Sequence, residues 1–316
     1  MKYYESMKEL IGNTPMVKLP HAGAGLRSEI YAKLELYNPA GSVKDRVGEY
    51  MVADAEKRGI LKPGGTIVEA TAGNTGIGIA FAALNRGYHI IFVVPTKFSE
   101  EKQQLMKALG AELVHTPREE GMQGAVKKAE ELKAEIPDAV SLEQFKNPSN
   151  PRAHYETTGP EIYEALDGKI DYVVLGAGSG GTFTGILSYL KEKNPAIKGV
   201  LADPIGSTIG GGTHGDYNIE GIGNDFIADT MNIDLVDEVI KISDDEAFEA
   251  SRKLAATEGI FAGTSSGAAY VAAEKIAARE EGKRIVAVFP DRGDRYFSAH
   301  LYELKKAQES NIDRQK

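Results

Sequence analysis

An α/β fold with mostly parallel sheets is what this sequence predicts, on three observations. Short β-branched runs alternate with stretches of helical period from about residue 29 to about residue 310, the pattern that builds sheets with helices on both faces. Three Gly/Ser/Thr-rich segments stand where such strands give way to helices. The 316 residues suffice, at about 100–200 residues per domain, for two domains or one large one.

Taken in order, the expected strands are Glu29–Leu36, Thr66–Ala70, Ile90–Pro95, Glu112–Thr116, Asp171–Gly176, Lys198–Asp203, Glu238–Ile242 and Arg284–Phe289, with helices between them. Ser99, followed by Glu100, Glu101 and Gln103, opens one helix that Gly110 closes. Ser266-Gly267-Ala268-Ala269 opens another that runs to about Glu281. Asn147 to Pro151 (NPSNP) reads as a crossover between two lobes, because two prolines and two asparagines do not continue a helix or a central strand. Gly206 to Gly215 (GSTIGGGTHG) reads as a flexible surface loop or, functionally, as a mobile segment beside a cleft. No fixed-period repeat is present.

Hydrophobic residues make up 42% and charged residues 26%, the material of an ordinary buried core rather than of a disordered chain. Lys and Arg number 37 against 46 Asp and Glu, and the net charge of −9 argues against nucleic acid or an anionic membrane as a partner. There is no cysteine, which excludes disulfides, thiolate zinc sites, iron–sulfur clusters and a cysteine nucleophile; no metal site is expected. Met1 to Leu10 lacks the basic-then-apolar pattern of a signal peptide, and no run approaches the ~18 apolar residues of a membrane span. A cytoplasmic location is the expectation.

Gly176-Ala177-Gly178-Ser179-Gly180-Gly181 follows an expected strand, opens a helix, and has Asp203 roughly twenty residues on at the end of the next strand, which is formally a dinucleotide fingerprint. Physically the glycines offer close backbone approach and free N–H groups at a helix start, which suit a phosphate monoester as well as the pyrophosphate of NAD. Thr71-Ala72-Gly73-Asn74-Thr75-Gly76 and Gly263-Thr264-Ser265-Ser266-Gly267 have the same form. Three such loops at the carboxyl ends of parallel strands converge on one crevice and suit a ligand with more than one anionic group. Lys44, in Asn38 to Arg46 (NPAGSVKDR), sits at a helix start, where the dipole and burial lower an amine's pKa. A nucleophilic amine beside a phosphate cradle is what a Schiff base with pyridoxal phosphate requires.

The segments NPAGSVKDR, TAGNTGIGIA, GAGSGGTFTG, EGIG and GTSSGAA, in this order, resemble the cysteine synthase and cystathionine β-synthase family of pyridoxal-phosphate enzymes, of fold type II. The resemblance covers nearly the whole chain. It implies two doubly wound lobes with the cofactor between them, a smaller mobile substrate-binding lobe at 41–146 and a larger cofactor-binding lobe of 1–40 plus 147–316. It makes Lys44 the lysine that carries the cofactor and moves the substrate proton, and Asn74 the partner of the phenolate oxygen. Gly178, Ser179, Gly180, Gly181 and Thr182 would hold the phosphate. Ser265 would face the pyridine nitrogen, and Thr71, Ala72, Asn74, Thr75 and Gln144 would receive the substrate, with Gly221 and Glu220 on the acceptor side. Ala72 stands where cysteine synthases usually have serine, and Glu220 and Asp291 are more similar to the cystathionine β-synthase side. The implied reaction is β-replacement on O-acetyl-L-serine or L-serine, with homocysteine as first choice of thiol and sulfide as second, in a homodimer without haem or adenosylmethionine control. An NAD-binding protein using Asp203 and a non-catalytic amino-acid sensor are the alternatives of other classes.

Overall fold

The computed structural model describes residues 3–96 and 99–303. Two sheets carry the fold. The smaller is β3 (Thr66–Ala70), β4 (His89–Pro95) and β5 (Glu112–Thr116), all parallel. The larger runs in the order β1 (Met16–Lys18), β2 (Glu29–Leu34), β9 (Arg284–Phe289), β6 (Tyr172–Leu175), β7 (Lys198–Pro204) and β8 (Glu238–Ile242). Every pairing in it is parallel except that of β1 with β2. Helices α1 (Lys44–Lys57), α2 (Asn74–Ala83), α3 (Glu100–Ala108) and α4 (Gly121–Glu135) accompany the smaller sheet. The larger has α5 (Ser149–Ala153), α6 (Gly159–Ala165), α7 (Gly181–Lys193), α8 (Asp244–Glu258) and α9 (Thr264–Arg279).

The central strands are apolar on both faces because helices cover both. In β6, Tyr172 and Val174 join the cluster under α8 and α9, while Val173 and Leu175 join the one under α7. In β9, Ile285, Ala287 and Phe289 take the first side and Val286 and Val288 the second. This period of two is the pleat itself. The smaller sheet repeats it, with Ile90, Phe92 and Val94 packed towards α1 and α2 and Val93 towards α4. Among the described residues no helix is long and apolar enough to cross a membrane.

Four expected strands have their observed bounds, namely Thr66–Ala70, Glu112–Thr116, Glu238–Ile242 and Arg284–Phe289. Glu29–Leu36 ends instead at Leu34, since a 3₁₀ turn over Glu35–Tyr37 carries the Glu35 carboxylate to Arg46. Asp171–Gly176 is shorter at both ends, because Asp171 spends its carboxylate on the Arg284 N–H and Gly176 has already entered the loop. The helix expected from Ser266 to about Glu281 spans Thr264–Arg279. β1 is too short to show a period and was not foreseen.

NPSNP departs most from expectation: Asn147 and Pro148 stand outside any helix, but Ser149, Asn150 and Pro151 open one. Pro148 is the N-cap of α5 and Pro151 lies in its first turn, where a missing N–H breaks no helical bond. The helix continues through a wide turn at His154–Thr158 into α6. In the Gly206–Gly215 segment, Gly206 and Gly215 are joined backbone to backbone, and Lys241 donates to the Ser207 carbonyl at 2.7 Å.

Candidate active site

α1 and α2 cross at a pair of glycines. A Cβ on Gly48 would lie 2.3 Å from the Gly78 carbonyl oxygen, and one on Gly78 would lie 2.2 Å from that of Lys44. Backbone therefore meets backbone, and the first turn of α1, which bears Lys44, is set directly against the helix that begins at Asn74. Two residues on, buried Arg46 clamps α1 from below: it donates to Glu35 through Nε (2.7 Å) and Nη2 (2.8 Å), and to Glu161 through Nη1 and Nη2 (2.7 Å each). Burial pushes the Glu35 carboxyl up, but Arg46 overrides it and holds the group at about 2.

Lys44 faces a cavity whose wall includes Gly178, Ser179, Gly180, Thr182, Gly221 and Ile222. Burial pushes its amine down to about 8, against the opposing pull of Asp291. Among the described residues no hydrogen bond uses the backbone N–H of Gly178, Ser179, Gly180 or Thr182. These groups converge at the start of α7, an arrangement that receives an anion. The glycines there have no room for a side chain: a Cβ would lie 2.9 Å from the Gly221 carbonyl at Gly178 and 2.1 Å from Asn150 Oδ1 at Gly181. Asn150 Nδ2 donates to Ser179 Oγ at 2.9 Å, and the Thr230 hydroxyl donates to the Ser179 carbonyl at 2.6 Å, so the loop is fixed from two sides. Behind it His154 pairs with the hydroxyls of Thr158 and Thr182, and burial, then Lys44, depress its pKa to about 3, which keeps it neutral.

The start of α2 forms the second wall. The Thr75 hydroxyl donates to Gln144 Oε1 at 2.6 Å, Thr71 and Ala72 are buried, and no described group takes the N–H of Ala72 or Gly73. Glu143, just before Gln144, has φ +50, so this side chain is presented from a strained backbone. Asn74 is held from the far side: its Nδ2 donates to Asp291 Oδ2 at 2.6 Å, and Arg295 donates to its Oδ1 and to the Ala40 carbonyl. Tyr296 donates its hydroxyl to the same Asp291 oxygen at 2.6 Å. The third loop meets this group, since a Cβ on Gly263 would lie 2.2 Å from Asp291 Oδ1. Ser265 is buried in the first turn of α9, and its hydroxyl bonds to no described residue.

The three loops and Lys44 therefore converge as expected from sequence. Two residues have partners the sequence did not foresee. Asp203 is buried and its Oδ2 accepts from Lys241 Nζ of β8 (2.6 Å) and from the Gly210 N–H (3.0 Å), so the carboxylate of the dinucleotide reading is held inside the fold. Glu220 accepts from Lys102 Nζ at 2.5 Å, while its N–H donates to Thr264 Oγ1 at 3.1 Å. Arg295, Tyr296 and Asn150 were missed. Asn150 lay inside NPSNP, where a polar residue between prolines reads as turn, and Arg295 follows the last strand with no motif around it.

Comparison with known proteins agrees with this geometry. A family model described as "pyridoxal-phosphate dependent enzyme" matches residues 7–291. The chain is 50% identical over 304 residues to an O-acetylserine dependent cystathionine β-synthase of Bacillus subtilis, covering 96% of this chain and 99% of that one. It is 48% identical over 306 residues to a cysteine synthase of Helicobacter pylori, covering 96% and 100%. Among solved structures, an O-acetylserine dependent cystathionine β-synthase from Helicobacter pylori superposes with a TM-score of 0.89 at 47% identity, covering 94% of this chain and 98% of that one. A cysteine synthase from Entamoeba histolytica gives a TM-score of 0.93 at 40% identity, covering 96% and 92%. With a buried lysine beside a loop of unpaired N–H groups and these relatives along nearly its whole length, the chain belongs to the family of pyridoxal-phosphate dependent enzymes.

Proposed function

We propose that this enzyme replaces the β-substituent of O-acetyl-L-serine or L-serine, released with the thiol proton as acetic acid or water, with a thiol, homocysteine being the acceptor that the site favours and sulfide the alternative. The observation that carries the reading is Lys44 at the mouth of the Gly178–Thr182 cradle, one wall away from the free N–H groups of Ala72 and Gly73. The residues present fit the cofactor: unspent N–H groups suit its phosphate, and glycines that tolerate no Cβ leave the backbone bare. Ser265, whose hydroxyl is unengaged, would face the ring nitrogen without protonating it, and Asn74 would face the phenolate oxygen. When bound, pyridoxal phosphate draws electrons from Cα of an amino acid joined to its aldehyde.

The chain's own groups supply the rest. The amine of Lys44, close to neutral above pH 8, takes the Cα proton and later returns it. The start of α2, with Thr71, Thr75 and Gln144, orients the substrate carboxylate. Asp291, Tyr296 and Arg295 keep Asn74 in place. Glu220 would receive the ammonium of an amino-acid thiol, a charge-assisted bond worth roughly 1.5–3 kcal/mol. A homodimer is part of this proposal, and exposed Tyr3, Met7 and Tyr37 are apolar surface that it would cover.

Assay of the purified protein with O-acetylserine and either homocysteine or sulfide tests the reading. Cystathionine as the preferred product is the expected result, with Glu220→Gln raising the homocysteine KM about 10- to 150-fold and leaving the sulfide KM nearly constant. Cysteine as the sole product would move the assignment to cysteine synthesis. No turnover of either would leave an amino-acid sensor.

A further inference from the structure

We propose that Lys102 tunes acceptor specificity: its ammonium holds Glu220 in the acceptor-free enzyme, and an acceptor bearing its own ammonium takes that place. The inference rests on the acceptor reading above and adds a residue to it. Lys102 lies in the first turn of α3, beside the smaller sheet, and reaches across to Glu220 on the other side of the cleft. The two partners are unequally covered. The Lys102 side chain is 4% exposed, whereas that of Glu220 is 42% exposed, so the carboxylate keeps an open side from which a second ammonium can approach.

Two features make an exchange feasible without moving α3. Lys102 Nζ lies 4.4 Å from the centroid of the Tyr296 ring, so the displaced ammonium retains a cation–π partner. The helix also has an independent anchor, because the Glu101 carboxylate accepts from the Ser298 N–H and hydroxyl at 2.9 Å each. Gly221, next to Glu220, lines the cavity that Lys44 faces, so the exchange occurs beside the reacting centre. An incoming ammonium gains from Glu220 only what remains after that of Lys102 has been displaced. Lys102 therefore weakens every acceptor that needs Glu220 and leaves sulfide, which has no ammonium, outside the competition.

The test is the ratio of kcat/KM for homocysteine to kcat/KM for sulfide, with O-acetylserine as donor, in the wild type, Lys102→Met, Lys102→Arg, Glu220→Gln and the Lys102→Met/Glu220→Gln double variant. Lys102→Met should raise the ratio about tenfold, the scale of one charge-assisted hydrogen bond. Lys102→Arg, which keeps the charge, should stay within about twofold of wild type. In the Glu220→Gln background the Met substitution should have no effect, since the competition needs both partners. Lys102→Gln serves the same purpose if the Met variant does not fold. A ratio that is unchanged, that falls, or that changes equally in both backgrounds overturns the role of Lys102 while the acceptor reading stands. A wild type that uses sulfide but not homocysteine overturns both.

Discussion

Lys44 and Asp45 are neighbours on which burial acts in opposite senses. Burial brings the lysine down to about 8 and the aspartate up to about 7, because in each case the charged form loses water. Asp45 Oδ2 accepts from the Ala40 N–H at 2.6 Å, while its Oδ1 is buried without a partner. The sign of the stability effect follows. An unfolded aspartate titrates at 3.8 and the folded one at about 7, so between these values the folded state binds more protons and stability falls as pH rises. Asp45→Asn, which mimics the protonated group and keeps the Ala40 bond, should therefore be neutral near pH 4 and more stable than wild type by a few kcal/mol at pH 8. Denaturant unfolding at the two pH values checks this; a variant less stable than wild type at pH 8 would show that the carboxylate is ionised and satisfied in the fold.

At the scale of elements, the site is placed by the crossing of α1 and α2, and that crossing depends on Gly48 and Gly78. Gly78→Ala puts a methyl group 2.2 Å from the Lys44 carbonyl oxygen, a clash with backbone that no rotamer relieves. A loss of about 3 kcal/mol or more is expected in denaturant unfolding, together with weakened retention of pyridoxal phosphate. Wild-type stability and retention would mean that the helices separate freely and do not fix Lys44. How legible such elements were depended on their period. Parallel strands such as Arg284–Phe289 were plain because both faces are apolar and turn residues bound them. β1 has three residues, too few for any period, and is stabilised by pairing to β2. α5 was hidden because two prolines read as a break, although at a helix start they are compatible with the first turn.

For the whole molecule, segments far apart in the chain meet through a few long-range bonds: Asn74 to Asp291, Arg295 to Ala40, Lys102 to Glu220, Thr230 to Ser179. The loops themselves were legible, since Gly/Ser/Thr segments at strand ends signal anion binding whatever the fold. Their supporting partners were not, because Arg295 and Asn150 acquire meaning only once tertiary packing brings them to Asn74 and Ser179. The division into a smaller mobile lobe at 41–146 and a larger one remains our proposal; the two sheets and the bonds across the cleft support it. The central claim is that this convergence makes Lys44 the residue that carries pyridoxal phosphate. Borohydride reduction of the loaded protein, followed by proteolysis and mass spectrometry, tests it most directly. A pyridoxyl mass on the peptide containing Lys44, absent from Lys44→Ala, is the expected result; the label on any other lysine would contradict it.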